Sequence, residues 1–499
     1  MLFSSAEFLF LFLPLSLLAF HLLRIYQGGR AAMAATVAAS LFFYGWWNPP
    51  YLLLIITSVG VNFFYTRTLA TNPGRWKLLS ALGFNLALLG YFKYRNFFLE
   101  NVDYLIGDGL AEPGSLGVIF IPLGISFYTF QQMALLLDAN DGAVKKTPDL
   151  LEYSQFILFF PQLIAGPIIL YREMVDEFTQ LETNHGAGLS LFGPGLVVFT
   201  LGLFKKVCLA DGIAQFANLA FSSHASISML EAWAGILAYS LQLYFDFSGY
   251  SDMAVGLGLM FGFCLPLNFD TPFRARNMID FWKRWHMTMT RFFMMYVYSP
   301  MALSLSRYGL KRFSHAGMIF ILAVACPIMV TFLLSGLWHG AGWTFVIFGS
   351  VNGLGLITNH AWKEWGKIRL PFILSWALTL LTVLVSFVYF RAESLVVAHN
   401  ILEAMFSPAA FLLPNWLESL AVLTGLPWDS LTMFSAGSYA VRCFVWVVVL
   451  GVLSLWLPNW AKTYNDLAPS WRLSLAVSFM GFMAIGWLDQ PQTFLYFQF

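Results

Sequence analysis

Long apolar runs alternate with short polar breaks along the whole chain. The first is MLFSSAEFLFLFLPLSLLAFHLL, and others lie at roughly 31–47, 51–66, 78–94, 115–137, 151–170, 189–210, 228–245, 250–267, 317–335, 340–360, 371–390, 437–457 and 471–488. About 20 apolar residues carry a helix across the hydrocarbon core, so the pattern predicts an all-α polytopic membrane protein. A membrane β-barrel would instead alternate apolar and polar positions in segments of about ten. Several runs contain Gly or Pro and are expected to tilt or re-enter. The first run lacks a basic leader and a small-residue cleavage site, so it reads as a retained first helix. Arg24 and Arg30 follow it, the next break is uncharged, and Arg67, Arg75 and Lys77 follow the third run. By the excess of cations on the cytoplasmic side, the 24–30 loop is expected in the cytosol.

Composition narrows the class. Hydrophobic residues make up 59% of the 499 and charged residues 11%, against about 25% charged in soluble proteins. A soluble globule of this kind would expose large apolar patches. A soluble enzyme, a disordered chain and a nucleic-acid binder are thereby excluded. The net charge of +1 is uninformative about partners. The four cysteines, Cys208, Cys264, Cys326 and Cys443, are far apart, with no metal-ligand spacing and no disulfide framework. No metal or bound cofactor is expected, and no nucleotide motif occurs in a suitable context. No fixed-period repeat supports an inverted-repeat transporter. No linker interrupts the chain, which reads as one membrane domain, 1–499.

Polar residues gather in four places. Residues 270–315 hold Asp270, Arg274, Arg276, Asp280, Lys283, Arg284, His286 and Arg291 among Phe281, Trp282, Trp285 and Met289. This reads as an interfacial helix, cations on one side and Trp near headgroup depth, which can also cap a cavity through His286. The segment Ser335-Gly336-Leu337-Trp338-His339-Gly340-Ala341-Gly342-Trp343 places a histidine among glycines in apolar sequence. An ionisable group at membrane depth is costly and marks a function or a specific partner. Glycine lets a ligand or another backbone approach, and imidazole can act as general base on a hydroxyl. A satisfied histidine at a helix junction is the alternative.

The third cluster, Tyr244-Phe245-Asp246-Phe247-Ser248-Gly249-Tyr250-Ser251-Asp252, carries two carboxylates that do not share a helix face. Asp246 reads as a structural polar knot, with a helix break expected at Ser248-Gly249. The fourth comprises Pro122 to Gln131 and Phe160 to Pro167. Pro and Gly there imply irregular backbone, tolerated at depth only when protein-buried or lining a cavity. Gln131 and Gln162 either line such a cavity or bond to neighbouring helices. His21, His185, His224, His315, His360 and His399 have no comparable setting.

Taken together, FSSAEFLFLFLP, IPLGISFYTFQ, FPQLIAGPI, YFDFSGYSDMAVGLGLMFGF, NFDTPFRARNMIDFWKRWHMT, LLSGLWHGAGWTF, FRAES and the terminal FLYFQF resemble the membrane-bound O-acyltransferase (MBOAT) family. They most resemble its bacterial alginate O-acetylation subgroup, and they run from residue 2 to 499. The resemblance implies a ring of about eleven or more helices, some re-entrant or interfacial, around a tunnel. It implies that His339 is the catalytic histidine and that His286, the second family histidine, lines the same tunnel; both are taken as candidate catalytic residues, with Trp338, Gln131, Asp246, Ser248 and Arg284 as tunnel- or substrate-lining candidates. It implies a multi-pass protein of the bacterial inner membrane that takes an acyl group, acetyl from acetyl-CoA, from the cytosol. The group would reach an exported polysaccharide such as alginate or cellulose, through a periplasmic SGNH-type acetyltransferase or a polysaccharide synthase complex. Lys283, Arg284 and Arg291 would attract the donor phosphates if that segment faces the cytosol. The stretch Met294–Leu303 lacks the charged pair and double glycine common in that subgroup, which points to another glycan or partner. D-alanyl transfer to teichoic acid, a transporter and an export scaffold are the competing readings.

Overall fold

The computed structural model describes residues 1–106, 120–183, 189–222, 227–414, 417–424, 427–429, 437–457, 459–466, 470–488 and 494–495. His185 and His224 lie outside the described residues. Among the described residues the architecture is helical, apart from a two-residue parallel pairing of Leu413–Pro414 with Trp428–Asp429. Among the described residues, five helices are long and apolar enough to cross a membrane: Phe8–Gln27, Pro50–Thr71, Ala316–His339, Phe372–Arg391 and Ser438–Trp456. Their exposed faces carry bare apolar side chains, among them Leu53, Phe64, Ile373 and Phe444. That is the surface a lipid solvent accepts and water does not.

Several expected runs take a different form. The runs at 228–245 and 250–267 form one unbroken helix, Met229–Met260. Ser248-Gly249 does not interrupt it, because the small residues serve close packing instead. A Cβ on Gly256 would lie 2.5 Å from the Phe199 backbone nitrogen, and one on Gly202 would lie 2.6 Å from the Gly249 carbonyl. Small residues that let backbones meet are the usual glue between apolar helices. The run at 151–170 is divided. A helix Leu150–Leu158 opens on a capping box of Asp149 and Glu152, a single turn Phe160–Leu163 follows, and residues 167–170 are irregular yet buried.

The 270–315 stretch is not a single interfacial helix. It is a 3-10 turn at Pro272–Arg274, then helices Met278–Trp282, Met287–Phe293 and Ser299–Arg312. Phe281, Trp282, Trp285 and Met289 are buried. The aromatic surface is too large to be left at an interface and is packed into the protein. An exposed amphipathic character is confined to Ser299–Arg312, which shows Leu303, Tyr308 and Leu310 and ends in Lys311 and Arg312.

The chain packs as two compact units. The first comprises 1–204, 249–267 and 460–490, the second 205–248, 268–459 and 491–499. Polar pairs join the helices of the first unit. Asn62 and Asn85 exchange amide hydrogen bonds of 3.2 and 2.6 Å. Gln132 donates to Ser58 and accepts from the Tyr153 hydroxyl. Phe3, Phe8, Phe43, Phe160 and Tyr250 form an aromatic cluster in the same unit. The second unit is built around Cys326–His339 and Trp343–Trp365, with Phe372–Arg391 alongside.

Candidate active site

His339 is the last residue of helix Cys326–His339, and the chain leaves that helix through Gly340 in extended conformation. Two glycines determine what stands next to it. A Cβ on Gly336 would overlap the Phe345 carbonyl, and one on Gly340 would overlap the Phe345 ring. The small residues around His339 therefore admit the following helix, Trp343–Trp365, at close range. Phe348 from that helix and Phe390 from Phe372–Arg391 then stand 5.8 and 5.1 Å from the His339 ring.

His286 arrives from a separate segment. It sits between helices Met278–Trp282 and Met287–Phe293 in left-handed conformation, φ +43°. That conformation is uncommon for a residue with a Cβ. His286 is the N-cap of the second of these helices, and none of the residue is exposed. Its ring lies 4.8 Å from Phe247, 5.8 Å from Trp338 and 6.2 Å from His339. Trp338 and His339 are also almost wholly buried. Ser335 donates to the Met289 sulfur at 3.9 Å and ties the two segments one turn away.

Asn268 holds the His286 segment. Its backbone carbonyl accepts from the Met287 N–H at 2.9 Å. Its side-chain Oδ1 lies 3.1 Å from His286 Nδ1, 2.9 Å from the Thr288 hydroxyl and 3.4 Å from the Thr288 N–H. Burial holds the His286 imidazole well below the usual histidine range, at about 3, so it is neutral at physiological pH. Asn268 was not singled out in the sequence. The signal was its place at the head of NFDTPFRARN, which only pairing with the RWH segment makes meaningful.

The other candidates divide. Trp338 touches both histidines. Asp246, one residue before Phe247, belongs to a buried ion cluster. Lys206 Nζ lies 2.8 Å from Asp246 and 2.6 Å from Asp211, and Asp246 accepts the Leu495 N–H at 3.1 Å. Ser248 is buried on the same helix. Arg284 is half-buried, bonded to Asp280 at 2.8 Å and to the Asp270 carbonyl at 3.2 Å. It braces the loop before His286. Gln131 belongs to the first unit and is buried on helix Ile125–Asn140. Gln162, in the same unit, donates to the Phe156 carbonyl within its own bend. Among the described residues, no group of three or more His, Cys, Asp or Glu could hold a metal ion.

A buried pair of imidazoles in an aromatic shell, on an apolar helical chain, is the setting in which a membrane protein could take a proton from a hydroxyl away from water. The family model for MBOAT, the membrane-bound O-acyltransferase family, matches residues 89–398. The peptidoglycan O-acetyltransferase of Helicobacter pylori is 34% identical, covering 100% of this chain and 98% of that protein. The probable alginate O-acetylase of Pseudomonas aeruginosa is 37% identical over 89% of this chain and 81% of its own length. A teichoic acid D-alanyltransferase of Streptococcus thermophilus is 30% identical over 48% of this chain and 57% of its own. The chain belongs to the membrane-bound O-acyltransferase family and is a multi-pass membrane O-acyltransferase. Both histidines fall inside the matched region.

Proposed function

We propose that this protein moves an acetyl group from cytosolic acetyl-CoA through the bacterial inner membrane for O-acetylation of an exported polysaccharide. The observation that carries the reading is the burial of His286 and His339 together, rings 6.2 Å apart, in a shell of Phe247, Trp338, Phe348 and Phe390. His339 is the general base. It takes the hydroxyl proton as that oxygen bonds to the thioester carbonyl carbon, the C–S bond breaks, and the thiolate leaves and recovers the proton. His286, neutral and wholly buried, lines the same site with Trp338. A periplasmic SGNH-type acetyltransferase or a synthase complex is the natural recipient.

For the acceptor, the relative spanning the whole chain is named for peptidoglycan and those spanning 89% of it for alginate. Alginate or cellulose remain acceptors of the same hydroxyl chemistry. D-alanyl transfer to teichoic acid is the second reading, supported by relatives that match about half of the chain.

The test is polysaccharide acetyl content in a deletion strain complemented with His339→Ala. Loss of a general base costs about 10²–10⁴-fold, so acetylation is expected to vanish at normal protein level. Near wild-type acetylation would sink the assignment. Isotope-labelled donor, acetyl against D-alanyl, separates the two readings.

A further inference from the structure

We infer that Asn268 is a positioning residue for the transfer reaction, setting the tautomer of His286 so that Nδ1 carries the proton and Nε2 is the basic nitrogen. The inference rests on the reading above for the pair's role, but its geometry does not.

The side-chain atom of Asn268 that faces His286 also faces the Thr288 N–H at 3.4 Å and the Thr288 hydroxyl at 2.9 Å. A backbone N–H can only donate. The atom it meets must therefore be the amide oxygen. An oxygen in that place can only accept, so His286 Nδ1, 3.1 Å away, must be its donor. With Nδ1 protonated in a neutral ring, the lone pair lies on Nε2.

The fold enforces this arrangement twice. Met287 and Thr288 open helix Met287–Phe293, whose first N–H groups lack helical acceptors. His286 occupies the capping position without a side-chain cap bond, and Asn268 supplies both acceptors from another segment. Its backbone carbonyl takes Met287 and its side chain takes Thr288. The same amide that caps the helix thus orients the ring, and the left-handed backbone at His286 is held by a residue eighteen positions earlier. Ring contacts with Phe247 and Trp338 fix the plane. The titratable neighbour across the site is His339. Asp246 and Lys206, paired with each other, lie on the Phe247 side, and Lys283, Arg284 and Arg291 lie on the segment of His286 itself. Burial of His286 keeps the ring neutral, so the tautomer decides what it can do.

The experiment uses the full-length protein in membrane vesicles and two readouts. The first needs no activity: nitrogen-15 spectra of protein labelled at its eight histidines, with the His286 signals identified by their loss in His286→Ala. Wild type is expected to show a protonated Nδ1 and an unprotonated Nε2. Asn268→Leu is expected to lose that pattern, and a protonated Nε2 in wild type would overturn the inference. The second is acetyl-CoA turnover. Asn268→Leu should lower kcat by at least about tenfold, a modest fraction of what a wrong tautomer costs a triad enzyme, with donor KM within about twofold. Asn268→Asp should keep turnover at high pH but move the acid limb of the profile upward by about one unit or more, because a carboxylate favours the imidazolium.

Thr288→Val removes only the hydroxyl bond to Asn268 Oδ1 and keeps both the Thr288 N–H cap and the Asn268–His286 bond, so it separates loss of one polar contact at Asn268 from loss of its hold on the ring. It is expected to stay near wild type, and an equal loss in Thr288→Val with an unshifted Asn268→Asp profile would overturn the inference. Turnover that survives in His339→Ala would instead overturn the proposed function, leaving the spectra to judge Asn268.

Discussion

His286 and His339, carried on separate segments, bring their rings to 6.2 Å, and Trp338 touches both. The cations near His286 in sequence are not what surrounds it: the ring is wholly buried, while Lys283 is exposed and Arg284 is occupied by Asp280 and Asp270. His286→Ala is accordingly expected to lower kcat for acetyl-CoA turnover by about tenfold or more, within the range for removing a group that acts at the reacting atoms. Donor KM should change little. A saturation curve showing raised KM at unchanged kcat would assign His286 to donor binding instead.

Gly336 and Gly342 both flank His339, yet their surroundings differ. An added Cβ meets the Phe345 backbone at Gly336 but only an ordinary contact of 3.6 Å at Gly342. Gly336→Ala should cost about 1–3 kcal/mol through overpacking and displace the histidine, whereas Gly342→Ala should be tolerated. Thermal midpoints in detergent, paired with turnover, distinguish them. Equal tolerance at both positions would refute close packing as the reason for Gly336.

Lys206 holds two carboxylates, Asp211 and Asp246, inside the second unit. Removing one partner of a buried pair leaves an uncompensated charge and costs about 3–5 kcal/mol. Lys206→Met should lower the unfolding midpoint sharply, and adding Asp246→Asn should recover part of the loss. No recovery would mean that Asp246 is not the group left stranded.

Glu177, on the amphipathic helix Tyr171–Thr183, accepts the Cys264 N–H at 2.9 Å, and burial pushes its carboxyl up from 4.5 to about 7. Between those values the folded protein keeps a proton that the unfolded chain has lost. Stability from this group is therefore full below about 4.5 and declines as pH rises toward 7. Glu177→Gln, which can still accept the N–H, should flatten that decline. Midpoints measured across pH 4.5–7 for both proteins provide the check, and parallel curves would exclude Glu177 as the source.

Local sequence carried much of this. Apolar run length announced the helices because a lipid solvent leaves the backbone no other way to satisfy its polar groups over those distances. The same cost of isolated polarity made His339 conspicuous, whereas His286 drew notice from the charged stretch around it and from the family resemblance. Local pattern was less reliable where tertiary packing competes. Residues 278–293 have the charges of an interfacial helix, but their aromatic side chains are worth more buried, and the helix is broken to bury them. Ser248-Gly249 looks like a break and is not one, since the glycine is used for contact with another helix in its unit.

The sequence by itself determined the membrane class, the family resemblance and the two histidines, because composition, run length and rare polar residues are local properties of the chain. Only the tertiary structure decided that these histidines meet, that Gly336 and Gly340 admit Phe345, that Lys206 is the partner of Asp246, and that Asn268 faces His286. Those facts depend on which distant residues share a few ångströms of space, and hydrogen bonds, ion pairs and close packing act only over that range.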